Sequence, residues 1–276
     1  MKRSFLLAIL LFPLAVFAQK LELGVMGGGA IYSGDISPDE FGVYFNQINP
    51  AFGIFGRLNV AKPLSIRLGI TNGKVDGDDM EIGLEQRGLN FRTNIFEVAL
   101  TAEINVAHAG NEKGTQWVPY LFGGGAVYHF DPQAKFDGDY VNLQPLGTEG
   151  QGLPGYEAPY KLTQFAVPMG VGMRFIFKNA WSLGFEFGGR KLFTDFLDDV
   201  SSKEVNYLDI LEGNGTLAAQ LSNPKIKDTP DANLTYVRGG EYQDWYYFGG
   251  VTISFYLGGG GAGWGSGKGI GCPTNF

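Results

Sequence analysis

Strict alternation within residues 163–190 is the feature that most constrains the fold of this chain. Apolar side chains occupy every second position on both sides of a short break at residues 178–180. A period of two places these side chains on one face of a pleated β-strand. The opposite face carries glycine, arginine and glutamate, including Arg174, Glu186 and Arg190. The stretch therefore predicts a β-hairpin with one apolar face and one face of small and charged residues.

The same alternation recurs in six further segments, so eight strands are predicted. The apolar positions of the six segments are Leu21, Leu23, Val25 and Ile31; Phe52, Ile54, Leu58 and Val60; Leu64, Ile66, Leu68 and Ile70; Phe96, Val98, Leu100, Ala102 and Ile104; Val118, Tyr120, Phe122, Tyr128 and Phe130; and Val251, Ile253 and Phe255. The connections alternate between long and short, with short ones at residues 61–63, 109–115 and 178–180. Strands of about 9 to 11 residues with this rhythm are typical of outer-membrane barrels, which have short periplasmic turns and long extracellular loops. We therefore expect an all-β fold, an eight-stranded antiparallel transmembrane β-barrel with both termini in the periplasm.

The two ends of the chain differ from the barrel segments. Residues 1–18 have a basic start, an apolar run and a small final residue, which predicts a secretory signal peptide. A retained anchor is the alternative, but the run is shorter than the ~20 residues that a spanning helix needs. Residues 258–276 are rich in glycine, contain Trp264 and Cys272, and predict a flexible periplasmic tail. The barrel would then occupy residues 19–257 in the outer membrane of a Gram-negative bacterium.

The face opposite the apolar one carries arginine and glutamate in equal number. These residues are Glu22, Arg57, Arg67, Glu97, Glu103, Arg174, Glu186 and Arg190. A soluble barrel with an apolar core is the alternative, but a solvent-facing surface would normally include lysine and more charge. If the arginines faced lipid instead, each would cost ~2 to 4 kcal/mol near the membrane midplane. We therefore expect the apolar face in lipid and the eight charged residues in a buried network that fills the lumen, so that the barrel does not conduct.

Two local patterns predict further details of the strands and loops. Pro168 falls inside a predicted strand, where a proline predicts a β-bulge. In the long segment after Lys191, Ser201 and Glu204 have the spacing of a capping box before an apolar run, which predicts a helix.

Few residues carry the marks of catalysis or ligand binding. His129, on the predicted inner face of the fifth strand, is close to Asp131, and Ser33 could approach it as in a serine-histidine-acid site; a polar rim residue is the alternative. The acidic groups at residues 76–79 and 195–199 could bind calcium or be solvated loop carboxylates, and neither has the full EF-hand spacing. The net charge of −7 without a basic cluster argues against nucleic acid. We assign no catalytic, cofactor or metal site and do not expect an enzyme.

Several stretches resemble the PorG-like outer-membrane barrels of the Bacteroidota. They are residues 27–35 (GGGAIYSGD), 49–58 (NPAFGIFGRL), 91–97 (FRTNIFE), 117–120 (WVPY), 146–152 (LGTEGQG), 189–201 (GRKLFTDFLDDVS) and 238–246 (RGGEYQDWY). The resemblance implies an eight-stranded barrel without enzymatic activity that associates with a periplasmic ring of PorK, a lipoprotein, and PorN in the type IX secretion system. The family also includes barrels of unassigned role.

These observations favour a non-enzymatic barrel that anchors a periplasmic secretion or gliding assembly, with a PorK/PorN-like ring as the suspected partner. Its docking surface is expected at the short turns and the tail, where Cys272 could form an intermolecular disulfide and Trp264 could contact the partner. One alternative is an adhesin or receptor that acts through its extracellular loops. A lipid-modifying enzyme that uses His129 is another.

Overall fold

Eight long antiparallel strands form a closed barrel in the computed structural model, which describes residues 21–38, 42–43, 47–111, 114–241 and 243–257. The strands are β1 (Leu21–Ser33), β2 (Asn49–Ala61), β3 (Leu64–Asp78), β4 (Asn90–Asn105), β5 (Thr115–Phe130), β6 (Thr163–Phe177), β7 (Trp181–Leu192) and β8 (Trp245–Leu257). Each strand pairs with the next, and β1 also pairs with β8. Closure leaves no unpaired edge, as a membrane-spanning sheet requires. The predicted eight-stranded antiparallel barrel is confirmed, whereas the predicted signal peptide and the tail with Trp264 and Cys272 lie outside the described residues.

The connections alternate in length as predicted. One end of the barrel, the turn end, holds residues 62–63, 106–111, 114 and 178–180. Lys178 and Asn179 have positive φ angles of 50° and 52°, and the Ala180 N–H donates to the Phe177 carbonyl, which is the geometry of a type I′ hairpin turn. The other end, the loop end, holds the described parts of residues 34–48, 79–89, 131–162 and 193–244.

The strands extend further toward the loop end than the sequence predicts. They contain 12 to 16 residues, and β3 continues to Asp78 although the prediction ended it near Ile70. The residues beyond Ile70 are largely polar, so the apolar alternation that predicts a strand stops there. Backbone groups can pair without apolar side chains once a strand has left the lipid, so the ladder continues.

Large apolar side chains cover the outside of the barrel wall. Phe52, Phe165 and Phe255 are 67%, 71% and 59% exposed, and similar residues lie on all eight strands. Such a continuous apolar outer face is the lipid-facing surface of a transmembrane barrel. On seven strands, these residues belong to the apolar face that the alternation predicts.

On β5, the predicted orientation is wrong. Tyr120 and Tyr128 are 1% and 0% exposed and face the lumen, whereas His129 is exposed on the outside. The register fixes this arrangement, because Tyr128 lies directly opposite the internal Glu97 of β4 and paired residues share a face. A tyrosine ring suits either a membrane interface or a polar lumen, so the alternation of β5 alone could not assign its faces.

Pro168 does not form the predicted β-bulge. The pairing of β6 with β7 continues without a shift through Pro168 opposite Arg190. On the other side, the pairing of β6 with β5 is interrupted between Gly123 opposite Met169 and Ala126 opposite Ala166. Proline has no N–H to donate, so the ladder is broken there, but no extra residue is inserted and the register is kept.

The loop-end connections pack together into a cap, which comprises the described parts of residues 34–48, 79–89, 131–162 and 193–244. It contains helices α1 (Tyr207–Gly213) and α2 (Thr216–Ser222), a short hairpin of Gln133–Phe136 with Asp139–Asn142, and an antiparallel pair of short strands, Glu204–Asn206 and Thr235–Val237, on either side of the helices. The predicted capping box is wrong, because Glu204 lies in a strand and the Ser201 hydroxyl donates to Glu149 instead. Leu197 and Val200 of the cap belong to the same buried apolar cluster as Met26 in the lumen. No helix in the described ranges is long and apolar enough to cross a membrane.

Candidate functional site

Six of the predicted lumen residues form one ionic network toward the turn end, with Arg57 at its centre. The Arg57 Nη1 donates to Glu22 Oε2 and its Nε donates to Glu103 Oε2, each at 2.8 Å. The arginine side chain is 1% exposed, and both glutamate side chains are fully buried. The pairing of β1 with β2 places Glu22 directly opposite Arg57, so the strand register itself brings the charges together.

Arg67, Glu186 and Arg174 complete this network. Arg67 holds Glu186 through two parallel hydrogen bonds of 2.5 and 3.0 Å, the strongest geometry for such a pair. Arg174 Nη1 lies 3.4 Å from Glu103 Oε2 and 3.9 Å from Glu22 Oε1. The three arginines and three glutamates balance, so the network carries no net charge.

The remaining two predicted lumen residues form a separate pair closer to the cap. Arg190 donates through Nε and Nη2 to the two carboxylate oxygens of Glu97, at 3.0 and 3.1 Å. The Tyr246 hydroxyl also donates to Glu97, at 2.8 Å. All eight charged residues singled out by the sequence therefore point inward and are paired.

Sequence reasoning missed several polar neighbours of the network. Asn59 and Ser254 donate to Glu22 at 2.7 and 2.8 Å, and Tyr120 donates to Glu186 at 3.0 Å. Asn59 shares the inner parity of Arg57 and could have been found from that signal, whereas Tyr120 was assigned to the wrong face. The Phe55 ring lies under the Arg67 guanidinium, 4.0 Å from centroid to Cζ.

Side chains leave little free space inside the barrel. A lumen cavity bordered by Met26, Arg67, Phe122 and Phe248 has a volume of about 30 Å³. That is room for only a few water molecules. This arrangement can seal the barrel and stiffen it.

A second group of buried charges lies in the cap, around Arg238. Its Nη1 donates to Thr148 Oγ1 and to the Asp199 carbonyl, both at 2.8 Å, and lies 3.4 Å from Glu149 Oε1. Glu149 also accepts hydrogen bonds from the Ser201 N–H and hydroxyl, at 2.9 and 2.5 Å. Burial raises the pKa of Glu149 to about 7 in spite of Arg238, and burial likewise raises the pKa of Asp199. The cluster joins the third and fourth loop-end connections.

Tyr32, at the loop end of β1, connects the barrel wall to two cap aspartates. Its hydroxyl donates to Asp198 Oδ2 at 2.5 Å and lies 3.1 Å from Asp244 Oδ1. Burial raises the pKa of both carboxyl groups well above the usual range. Nearby carboxylate charges raise both pKa values further: the largest such effect on Asp198 comes from Asp35, and the largest on Asp244 comes from Asp198. The protonated form of at least one aspartate is therefore favoured.

Arg87 connects three of the loop-end connections. It holds the buried Asp79 through Nε and Nη2 at 2.8 and 2.7 Å. It also donates to the carbonyls of Asp35 and Arg238, at 2.6 and 2.7 Å. Four of the sequence stretches that resemble the PorG-like barrels, residues 27–35, 146–152, 189–201 and 238–246, thus meet in this buried core of the cap.

The structure also bears on the sequence hypotheses about the acidic loop residues and about a catalytic site at His129. Asp79, Asp198 and Asp199 are at most 1% exposed, so the alternative of solvated loop carboxylates is wrong for them. No three histidine, cysteine or acidic side chains of the described residues are arranged to hold a metal ion. His129 and Ser33 do not come together: His129 is on the outside of β5, 3.0 Å from Thr163 Oγ1, and Ser33 is buried on β1, which is not adjacent to β5.

Solved bacterial barrels resemble the chain at low sequence identity. Neisserial surface protein A has 7% identity and a TM-score of 0.40, with 86% of this chain and 97% of that chain covered. OprG from Pseudomonas aeruginosa has 11% identity and a TM-score of 0.40, with the same coverage. Ail from Yersinia pestis has 8% identity and a TM-score of 0.36, with 85% and 97% covered. The fold assignment rests on the strand pairing of the chain itself.

Sequence comparison gives the family. No protein of curated function matches the chain. A family model described as a domain of unknown function, DUF6089, matches residues 2–220, which span the predicted strands as far as β7 and most of the cap. The chain therefore belongs to the DUF6089 family.

Proposed function

We propose that the protein is a non-conducting outer-membrane barrel that anchors a periplasmic secretion or gliding assembly. The observation that carries this proposal is the filled lumen, in which paired arginine and glutamate side chains leave a cavity of about 30 Å³. A solute pathway would need a continuous water-filled passage, whereas an anchor needs only a rigid barrel. The resemblance to the PorG-like barrels supports the type of assembly.

The turn end is the proposed docking side. It carries the short connections and the described limits of β1 and β8, so the 19 residues after Leu257 continue from this end. In the outer membrane, this end would face the periplasm. A PorK/PorN-like ring is the proposed partner, and Cys272 and Trp264 of the tail are the proposed covalent and apolar contacts.

The cap favours a second candidate function, an adhesin or receptor that acts outside the cell. Arg87, Arg238 and Tyr32 hold the four loop-end connections in one defined arrangement. Ordered loops present a fixed surface to a partner, which lowers the entropic cost of binding.

Cross-linking in the native bacterium tests the two candidates. A photoreactive amino acid replaces Lys62 or Lys178 at the turn end, or Asp228 at the loop end, since all three are exposed. The anchor function predicts a specific protein partner from the two turn-end positions, and partners only from Asp228 would contradict it. Non-reducing gels of wild type and Cys272→Ser test the disulfide separately, because equal mobility of both forms would exclude it.

A further inference from the structure

A cleft in the cap, separate from the ionic network of the lumen, has the chemistry of a binding site. It has a volume of about 230 Å³ and lies between the third and fourth loop-end connections. Its lining includes Glu149, Gln151, Tyr156, Glu157, Phe196 and Lys203. Clefts for drug-sized ligands have volumes of roughly 300 to 1,000 Å³, so this one suits a single-ring ligand.

Gln151 supplies a hydrogen-bond donor that none of the described residues accepts from. The residue is 6% exposed, and its Oε1 accepts a hydrogen bond of 2.9 Å from the Glu149 N–H, which fixes the orientation of the amide. Its buried Nε2 has no acceptor within the part of the chain that the structure describes. Buried donors are nearly always paired in folded proteins, so an acceptor oxygen of a ligand would satisfy the Nε2 donor of Gln151.

Aromatic rings form an apolar wall beside this donor. Phe196 stacks on Tyr160 with 4.7 Å between ring centroids and 6° between planes, and Tyr160 stacks on Phe130 in the same orientation. This stack holds Phe196 rigidly where it lines the cleft. The Tyr156 hydroxyl donates to Asp209 at 2.8 Å, which fixes the second ring. A fixed aromatic surface next to a hydrogen-bonding amide matches a ring with an apolar face and a hydroxyl edge.

The charges around the cleft select against anions. Lys203 is paired with Glu157 at 3.1 Å, and both side chains are more than half exposed. Glu204 also lines the cleft, so two acidic side chains, Glu157 and Glu204, stand against the single lysine. A phosphate, sulfate or carboxylate ligand would be repelled, whereas a neutral hydroxylated ring would not.

We propose that this cleft binds a neutral sugar ring of a cell-surface or environmental glycan. Phe196 packs against the apolar face of the ring, and a small rotation of the Gln151 side chain brings its Nε2, which is covered in the unliganded cap, into the cleft to donate to one of the sugar oxygens. The inference does not depend on the anchor function, because the cleft lies at the opposite end of the barrel from the proposed docking side.

Titration of the full-length protein in detergent micelles with neutral methyl glycosides tests the proposal. We use the methyl glycosides of glucose, galactose, mannose and N-acetylglucosamine, followed by saturation-transfer NMR and calorimetry. At least one should bind, and Gln151→Glu and Phe196→Leu should each weaken it about tenfold, the effect of losing one good contact. Gln164→Glu is the matched control, because it makes the same change at a loop-end glutamine outside the cleft.

The outcomes separate the proposal from its alternatives. Absence of binding by all four glycosides overturns it, and so does binding that neither cleft variant weakens. A folded barrel changes its mobility in gels when the sample is heated. If one cleft variant lacks this change, glycoside binding by the other cleft variant and by Tyr156→Leu tests the proposal instead. Lipopolysaccharide from the producing bacterium, compared with neutral soluble glycans, then distinguishes a sugar of the cell's own surface from one in its surroundings.

Discussion

Replacing Arg57 by methionine tests how far the ionic network stabilises the barrel. The substitution removes two hydrogen bonds of 2.8 Å and leaves the fully buried Glu22 and Glu103 without their closest cation. Arg174 remains at 3.4 to 3.9 Å from these carboxylates, and Arg67 remains at 3.8 Å from Glu103. Breaking a buried ion pair typically costs 3 to 5 kcal/mol, so we expect the free energy of unfolding to fall by about 4 kcal/mol.

The measurement is urea unfolding of the protein folded in micelles, followed by tryptophan fluorescence and by gel mobility. Lys74→Met is the matched control, because Lys74 pairs with Asp76 at 3.1 Å but both side chains are more than one-third exposed. An exposed pair contributes about 0 to 1 kcal/mol, so this variant should remain close to wild type.

A third variant distinguishes lost charge pairing from lost volume. Adding Glu22→Gln to Arg57→Met restores the charge balance, because Arg67 and Arg174 then face Glu103 and Glu186, and we expect more than half of the lost stability to return. If Arg57→Met unfolds at the wild-type urea concentration, the network does not stabilise the barrel. If the double variant is as unstable as the single one, packing of the arginine side chain is responsible instead.

Three further predictions follow from the lumen and the cap. In planar bilayers, the purified protein should give no large, steady current steps, since the lumen cavity is only about 30 Å³; such steps would contradict a sealed barrel. Gly172→Ala should lower the free energy of unfolding by about 1 to 3 kcal/mol, because its new methyl group would meet the Tyr120 ring, whereas Gly125→Ala, with open space around it, should have little effect in the same urea titration. Burial raises the pKa of Glu149 from its usual 4.5 to about 7, so its protonated form is favoured in the folded cap; this contribution, about 3 kcal/mol, is complete below pH 4.5 and lost as the pH rises through 7. The protection factors of the cap amides, which correct for the intrinsic pH dependence of hydrogen exchange, should therefore be higher at pH 5 than at pH 8, and Glu149→Gln should reduce that difference; an unchanged difference would contradict the assignment.

The barrel wall could be predicted from sequence because its signal is local and repeated. Alternation fixes which residues share a face, and the arginines and glutamates identify the lumen, as Arg57 opposite Glu22 illustrates. On β5 the alternation predicts the wrong faces, because Tyr120 and Tyr128 are equally compatible with the lipid interface and with the lumen. The extra strand length at the loop end was also missed, because backbone pairing outside the membrane leaves no apolar pattern.

The cap could not be predicted, because its contacts join residues that are distant in the chain. Arg238 meets Thr148 and Glu149, about 90 positions earlier, and Arg87 reaches the Arg238 carbonyl. Each carboxylate taken alone resembles a solvated loop residue, and only the packed loops provide its buried partners. The sequence stretches that resemble the PorG-like barrels did mark this region, although not its contacts.

The pairing of β1 with β8 also has a consequence for how the protein folds. Leu21 lies opposite Leu257, so the seam that closes the cylinder joins the first and last strands and cannot form until the whole chain is available. Contacts of such large sequence separation are slow to form. The Tyr32 hydroxyl of β1 donates to Oδ1 of Asp244, which directly precedes β8, at 3.1 Å. This hydrogen bond joins the two sides of the seam at the loop end. We expect seam closure to be a late step of assembly, during which both edge strands are open to chaperones and to the membrane insertion machinery.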